Sequence, residues 1–413
     1  MQFSSLLTKI GGFLLAVLIP FVSLLFVPFS RPIDSKATAL REQMGGFMCG
    51  ICHTVPEYDK IKEANIDWLR EDIPYPFDEN GEPSFYYEYW KGELQKYVDH
   101  GIRILGVTPY PKDYLYFGLD FRNEEDIPRI RDVAVFLMND LRDLVDGFQI
   151  TNEMGVERFT DPLTIDEAAD FIGVQLEAMA PIKGDKIIGY NLGGPGYYTL
   201  AFKMLKYNKY CDYIGCDLYL GSFDNIVKDI NTYFAVLHAV RAITQKPIIM
   251  MEFGYIGYGE PKTRAEKNEI LQKYGYSSEE DVAKDVDGFI NNLPPALKEE
   301  FIALYGDRSD EEKCKLLFHT EYAYHIYCEL PEGTGLYGYP HTPEGQAKFF
   351  SYLIPKFRQL PWIIGAFVYM WEDSDHCYVC GQADCPVETG WGIVDGTGNP
   401  KPAYYAEQKA FAD

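Results

Sequence analysis

The stretch IRDVAVFLMNDLRDLVDGFQITNE, residues 130–153, holds two periodicities and a break. Ile130, Val133, Ala134, Leu137, Leu141 and Leu144 recur at the three-and-four spacing of one helix face. The run that follows has the residues of a short buried strand and passes into Asn152 and Glu153 with no turn residue between. A helix feeding a strand is the repeating half of an α/β fold, and the polar pair should sit where that strand surfaces.

The same alternation extends in both directions. Apolar runs that suit buried strands are FMCGIC from 47, IDWLREDI from 66, RILGVT from 103, GFQITN from 147, KIIGYNL from 186, DYIGCDLY from 212, PIIMMEF from 247 and IIGAFVYM from 363. Between two of them, Ile226, Ile230, Tyr233, Phe234, Leu237 and Val240 mark a second helical face. Eight strands alternating with helices predict an α/β chain folded as a (β/α)8 TIM barrel, with its active site at the C-terminal ends of the strands. One interval is too long for this rhythm. Residues 259–340, after strand seven, are rich in Tyr, Glu and Lys and have helical character at 295–305 and 309–327, which predicts an insertion on the catalytic face. Such an insertion shapes a substrate cleft or serves as a packing subdomain. With no internal repeat and no low-complexity linker, residues 37–413 read as one domain.

Composition narrows the partners. The 413 residues are 47% hydrophobic, enough for a large core, and carry 38 Lys and Arg against 62 Asp and Glu, a net charge of −24. That balance argues against nucleic acid and against charge-driven binding to an anionic membrane surface. The 32 tyrosines supply core rings and candidate sugar-stacking faces. At the N-terminus, IGGFLLAVLIPFVSLLFVPF (10–29) is uncharged and long enough for one membrane span, though Pro20 and Pro28 weaken it as a helix. ATA at 37–39 has the small-x-small form of a cleavage site. Residues 1–36 therefore read as a signal peptide or an N-terminal membrane anchor, either of which places the barrel outside the cytoplasm, secreted or attached through 10–29.

Export also bears on the nine cysteines, which outside the cytosol can form disulfides. HCYVCGQADC (376–385) has C-x2-C-x4-C spacing, and we expect a disulfide-tied loop there, with zinc held by His376 or another Cys as the alternative. CGIC at 49–52 lies in the first expected strand, a poor setting for a redox motif.

Two carboxylates close strands. Glu153 ends strand four and Glu252, in MMEFGY, ends strand seven, so the two can face each other across the barrel mouth. A pair about 5 Å apart is what a retaining glycosidase needs. Arg70 in WLREDI can hold Glu252 ionised, and Tyr219 in CDLYLG can donate to the same carboxylate. Asn152 suits a sugar hydroxyl, and Trp371 in VYMWED offers a flat apolar face for a pyranose ring.

Together with the closing TGWGIVDGTGNPKPAYYA (389–406), these elements resemble the large clan of (β/α)8 retaining glycoside hydrolases with acid and nucleophile on strands four and seven. The resemblance implies Glu153 as acid/base, Glu252 as nucleophile, and Arg70, Asn152, Tyr219 and Trp371 as substrate-binding residues. It also implies a carbohydrate substrate, no cofactor and no catalytic metal. Two features depart from the clan: Asp217 stands where many relatives carry a His two residues before the strand-six Tyr, and the Cys-rich loop is not a common element. A non-catalytic exported glycan-binding barrel is the alternative, against which the intact Glu pair argues. A metal-dependent barrel hydrolase would need clustered ligands, and seven His with no H-x-H on a strand speak against it.

Overall fold

Eight parallel strands close into a barrel in chain order. They are β1 (Met48–Cys52), β2 (Trp68–Asp72), β3 (Arg103–Val107), β4 (Gly147–Gln149), β5 (Ile187–Leu192), β6 (Tyr213–Leu218), β7 (Ile248–Phe253) and β8 (Ile363–Tyr369). Every expected strand is present. The computed structural model describes residues 31–222, 227–320, 322–330 and 333–412. The apolar run at 10–29, on which the expectation of membrane attachment rests, lies outside them. Among the described residues no helix is long and apolar enough to cross a membrane.

Alternation along the strands sorts side chains into two cores. Met48, Trp68, Leu105, Ile187, Tyr213, Ile249, Ile364 and Phe367 fill the barrel interior. Ile51, Leu69, Ile104, Phe148, Ile188, Ile214 and Val368 point outward and pack beneath the helices. The helix Ile127–Asp140 buries Ile130, Val133, Ala134 and Leu137, the face its spacing predicts. Interior packing also explains Gly50: a β-carbon there would lie 2.2 Å from the Phe367 ring.

The N-terminal pole is sealed by the helix Arg31–Gln43. Its Ala37 and Leu40, with Met44 just past its end, join the interior cluster. Arg41 Nε donates to the carbonyl of Ile363 at 3.0 Å, and Arg241 pairs with Asp34 at 2.7 Å. The boundary expected between residues 36 and 37 lies within this helix, whose Ala37 is buried and whose Thr38 and Ala39 are exposed.

After β7 the insertion folds into helices, among them Arg264–Lys273, Pro295–Tyr305, Asp310–His319 and Tyr322–Tyr327. Leu271, Val286, Phe289, Leu297, Phe301 and Phe318 form its own core, which Cys377, Cys380, Cys385, Val387 and Trp391 complete from the segment after β8. Each buried Phe contributes roughly 1.5–3 kcal/mol, so the two segments are held as one wall of the barrel mouth.

Candidate active site

At the exit of β4 the chain makes two left-handed turns at residues that do not favour them, Thr151 (φ 55°) and Glu153 (φ 46°). Each such conformation costs about 1–3 kcal/mol and persists only where its surroundings enforce it. Here the Thr151 amide donates to Thr108 Oγ1 at 3.0 Å, Gln149 Nε2 donates to the Thr151 carbonyl at 2.7 Å, and the Glu153 amide donates to Asn191 Oδ1 at 2.9 Å. The turn brings Asn152 and Glu153 to the barrel axis.

On β7 the device is a bulge. Register with β6 shifts so that Cys216 faces Met250 while Asp217 faces Glu252, and a matching irregularity faces β8 between Met250 and Phe253. Met251 lies in the barrel interior and Phe253 in the outer layer. The extra residue lets Glu252 also turn inward, where strict alternation would send it out.

The expected residues then meet. Both oxygens of Glu252 accept hydrogen bonds, one from Arg70 Nη1 at 2.6 Å and the other from the Tyr219 hydroxyl. Arg70, 1% exposed, also donates to Asn152 Oδ1 at 2.7 Å, Gln149 Oε1 at 3.0 Å and Cys52 Sγ at 3.9 Å. Asn152 Oδ1 accepts further from Gln149 Nε2 at 3.1 Å and from Asn191 Nδ2. Three donors on one oxygen fix the amide's orientation and leave its Nδ2 uncommitted among the described residues.

Glu153 is in a different electrostatic setting. Burial, and then the charge of Glu252, push its carboxyl up to about 8, against the opposing pull of Arg158 and Arg70. It therefore keeps its proton at neutral pH. Asp217 behaves likewise: burial and the charges of Glu252 and Glu153 hold it well above the carboxylate range. Its Oδ2 accepts from Asn191, and its buried Oδ1 has no partner among the described residues. The chain thus places a buried carboxyl, favoured in its protonated form, two residues before Tyr219.

Trp371 is not in the site. It is fully buried, donates from Nε1 to Glu57 Oε2 at 3.0 Å, and meets Tyr404 of the C-terminal helix edge-on at 6.1 Å. The expectation of a sugar platform there is corrected: β8 ends at Tyr369, and two residues beyond its last rung the chain has turned Trp371 toward the helices. Tyr369 and Trp391 take the place beside Tyr219, with ring centroids 5.7 and 5.0 Å from it. Past the end of β3, Tyr110 stacks on Phe159 at 5.6 Å. Gln149, Asn191, Tyr369 and Trp391 escape the sequence reading. A polar residue near the close of an otherwise apolar strand, the feature that exposes Asn152 and Glu153, also marks Asn191 in KIIGYNL.

The Cys-rich loop differs from expectation as well. None of the nine cysteines is joined in a disulfide. Cys377, Cys380 and Cys385 gather around His325 of the insertion. His376, the sequence neighbour, is exposed and pairs with Asp375 instead.

No protein-family model matches the chain, and no curated protein matches it in sequence. Solved structures match its architecture. The GH53 catalytic domain of Ignisphaera aggregans aligns with a TM-score of 0.55 at 15% identity, over 87% of this chain and 95% of that one. A β-glucuronidase of Parabacteroides merdae aligns with a TM-score of 0.50 at 11% identity, over 89% of this chain and 38% of that one. At such identities the likeness concerns the fold, and it agrees with the closed sheet: the chain is a (β/α)8 barrel.

Proposed function

We propose that the chain is a retaining glycoside hydrolase acting on β-glycosidic bonds. The observation that carries this reading is the contrast between two glutamates at one barrel mouth: Glu252 is anchored by Arg70 and Tyr219, while Glu153 holds its proton to about 8. In such a site Glu252 attacks the anomeric carbon as Glu153 protonates the leaving oxygen. The glycosyl–Glu252 ester then breaks as Glu153 takes a proton from the incoming water. Asn152, with its oxygen tied into the network, presents Nδ2 to a sugar hydroxyl beside the reacting carbon.

Two solved barrels of this architecture, a GH53 catalytic domain and a β-glucuronidase, support the reading at the level of fold. The tyrosine-lined mouth and the wall built by the insertion favour an oligo- or polysaccharide over a free disaccharide. Export through residues 1–36 remains part of the proposal. Turnover of a panel of aryl β-glycosides, with proton NMR of the first-formed product, tests it. A β-anomer is expected first. An inverted product would refute double displacement, and glycan binding without turnover of any substrate would make the barrel a recognition module.

A further inference from the structure

The cluster on the wall has nothing to do in the two-glutamate chemistry, yet its geometry is specific. The ligand atoms of His325, Cys377, Cys380 and Cys385 all lie within 4.8 Å of one another, and the three cysteines are buried. His325 Nδ1 is 3.5 Å from Cys377 Sγ and 3.9 Å from Cys385 Sγ. Around a tetrahedral zinc, with bonds of about 2.3 Å to sulfur and about 2.0 Å to nitrogen, ligand atoms stand roughly 3.5–3.8 Å apart. The loop is also shaped as a chelating turn. The Cys380 amide donates to Cys377 Sγ at 3.4 Å, the Gly381 amide to the Cys377 carbonyl at 2.7 Å, and the Cys377 amide to the Gln382 carbonyl at 2.9 Å. Gly381 closes the turn with φ 72°, a conformation glycine adopts without strain. An amide aimed at sulfur suits a thiolate better than a thiol.

We propose that Cys377, Cys380, Cys385 and His325 form a structural zinc site that clips the loop after β8 to the insertion after β7. Binding displaces one proton from each of the three thiols to solvent, leaves the imidazole neutral, and involves no change of oxidation state. Cys328 stands beside the cluster, its thiol within hydrogen-bonding reach of Cys380 and Cys385 and of the His325 carbonyl at 3.6 Å. It is the reserve ligand if His325 is removed. With four protein ligands the coordination is closed, as in structural sites, and no position is left for a catalytic water. The clip reaches the mouth: Tyr378, between the first two cysteines, is within hydrogen-bonding reach of Arg158, whose charge acts on Glu153.

The test is the metal content of the purified full-length protein, measured by plasma mass spectrometry after exchange into metal-free buffer. About one zinc per chain is expected. The double variant C377S/C380S should fall to background, while Cys314→Ser, on an insertion helix outside the cluster, should keep the metal. Should the double variant fail to fold, cobalt(II) exchanged into the unaltered protein still decides, because a tetrahedral thiolate site gives intense visible bands that oxygen-ligated cobalt lacks. Protein grown with zinc that carries none, cobalt spectra without those bands, or intact mass showing the cluster cysteines joined as disulfides would each overturn the proposal.

Discussion

Gly193 makes room for Glu153. A β-carbon at position 193, just past β5, would lie 2.2 Å from Oε1 and 2.4 Å from Cγ of the glutamate. The atoms in the way belong to a side chain rather than to backbone, so an alanine there would displace the carboxyl and leave the barrel intact. Gly193→Ala is expected to lower kcat/KM by about 100-fold, the cost of misplacing a reacting group by about an ångström. Circular dichroism and Tm should stay close to the parent's. Unchanged kinetics would mean that Glu153 is not the proton donor.

The two glutamates should differ in stability as well as in rate. Glu252→Gln is expected to abolish turnover of every substrate. It should also cost about 3–5 kcal/mol, because it leaves the buried Arg70 without its counter-charge. Glu153→Gln replaces a group that is already neutral at pH 7, so denaturant titration should show little change. Its kinetic loss should be about 10²–10⁴-fold for poor leaving groups and small for activated aryl ones. Equal losses across leaving groups would remove Glu153 from the acid role.

For the pH dependence, the raised carboxyl of Glu153 sets the alkaline limb. The acid must be protonated to act, so kcat/KM should fall as pH rises through about 8. Burial is the larger cause of the shift and the charge of Glu252 the next. In Glu252→Gln the Glu153 carboxyl, followed by infrared or NMR titration, should therefore titrate lower than in the parent and still above the ordinary 4.5. A value that does not move would show the two groups to be uncoupled.

Glu407, on the C-terminal helix, is buried with no partner for either carboxyl oxygen among the described residues, and burial alone raises its pKa well above 4.5. The native state keeps a proton that the unfolded chain releases, so this residue makes stability fall as pH rises above 4.5. Glu407→Met should stabilise by about 1–3 kcal/mol at neutral pH and by less in acid. Urea denaturation at the two pH values measures the difference. A variant less stable than the parent at neutral pH would point to a partner for the carboxylate.

The strands were legible because a parallel strand covered on both faces reads as an unbroken apolar run, and Glu153 and Glu252 stood out against such runs. What lay beyond a strand's last rung was harder to read. Trp371 follows β8 by two residues, and its orientation depends on how the chain leaves the sheet. Met251 and Glu252 both turn inward only because of a bulge, a matter of pairing that one strand's sequence does not contain. The helix read from Ile226 onward begins at Thr232. The partner of the Cys-rich loop could not be read locally, since His325 precedes Cys377 by 52 positions and only the shared core brings them together.

The helix Arg31–Gln43 lies across the pole of the barrel opposite the glutamates, with Arg41 on the entry to β8 and Asp34 held by Arg241 ahead of β7. Residue 31, the first of the described residues, lies on that floor. Were the chain tethered to a surface by its N-terminus, the barrel would stand on its base with the cleft facing the medium. Long, immobile glycans could then be engaged from above without the surface intruding on either side of the mouth.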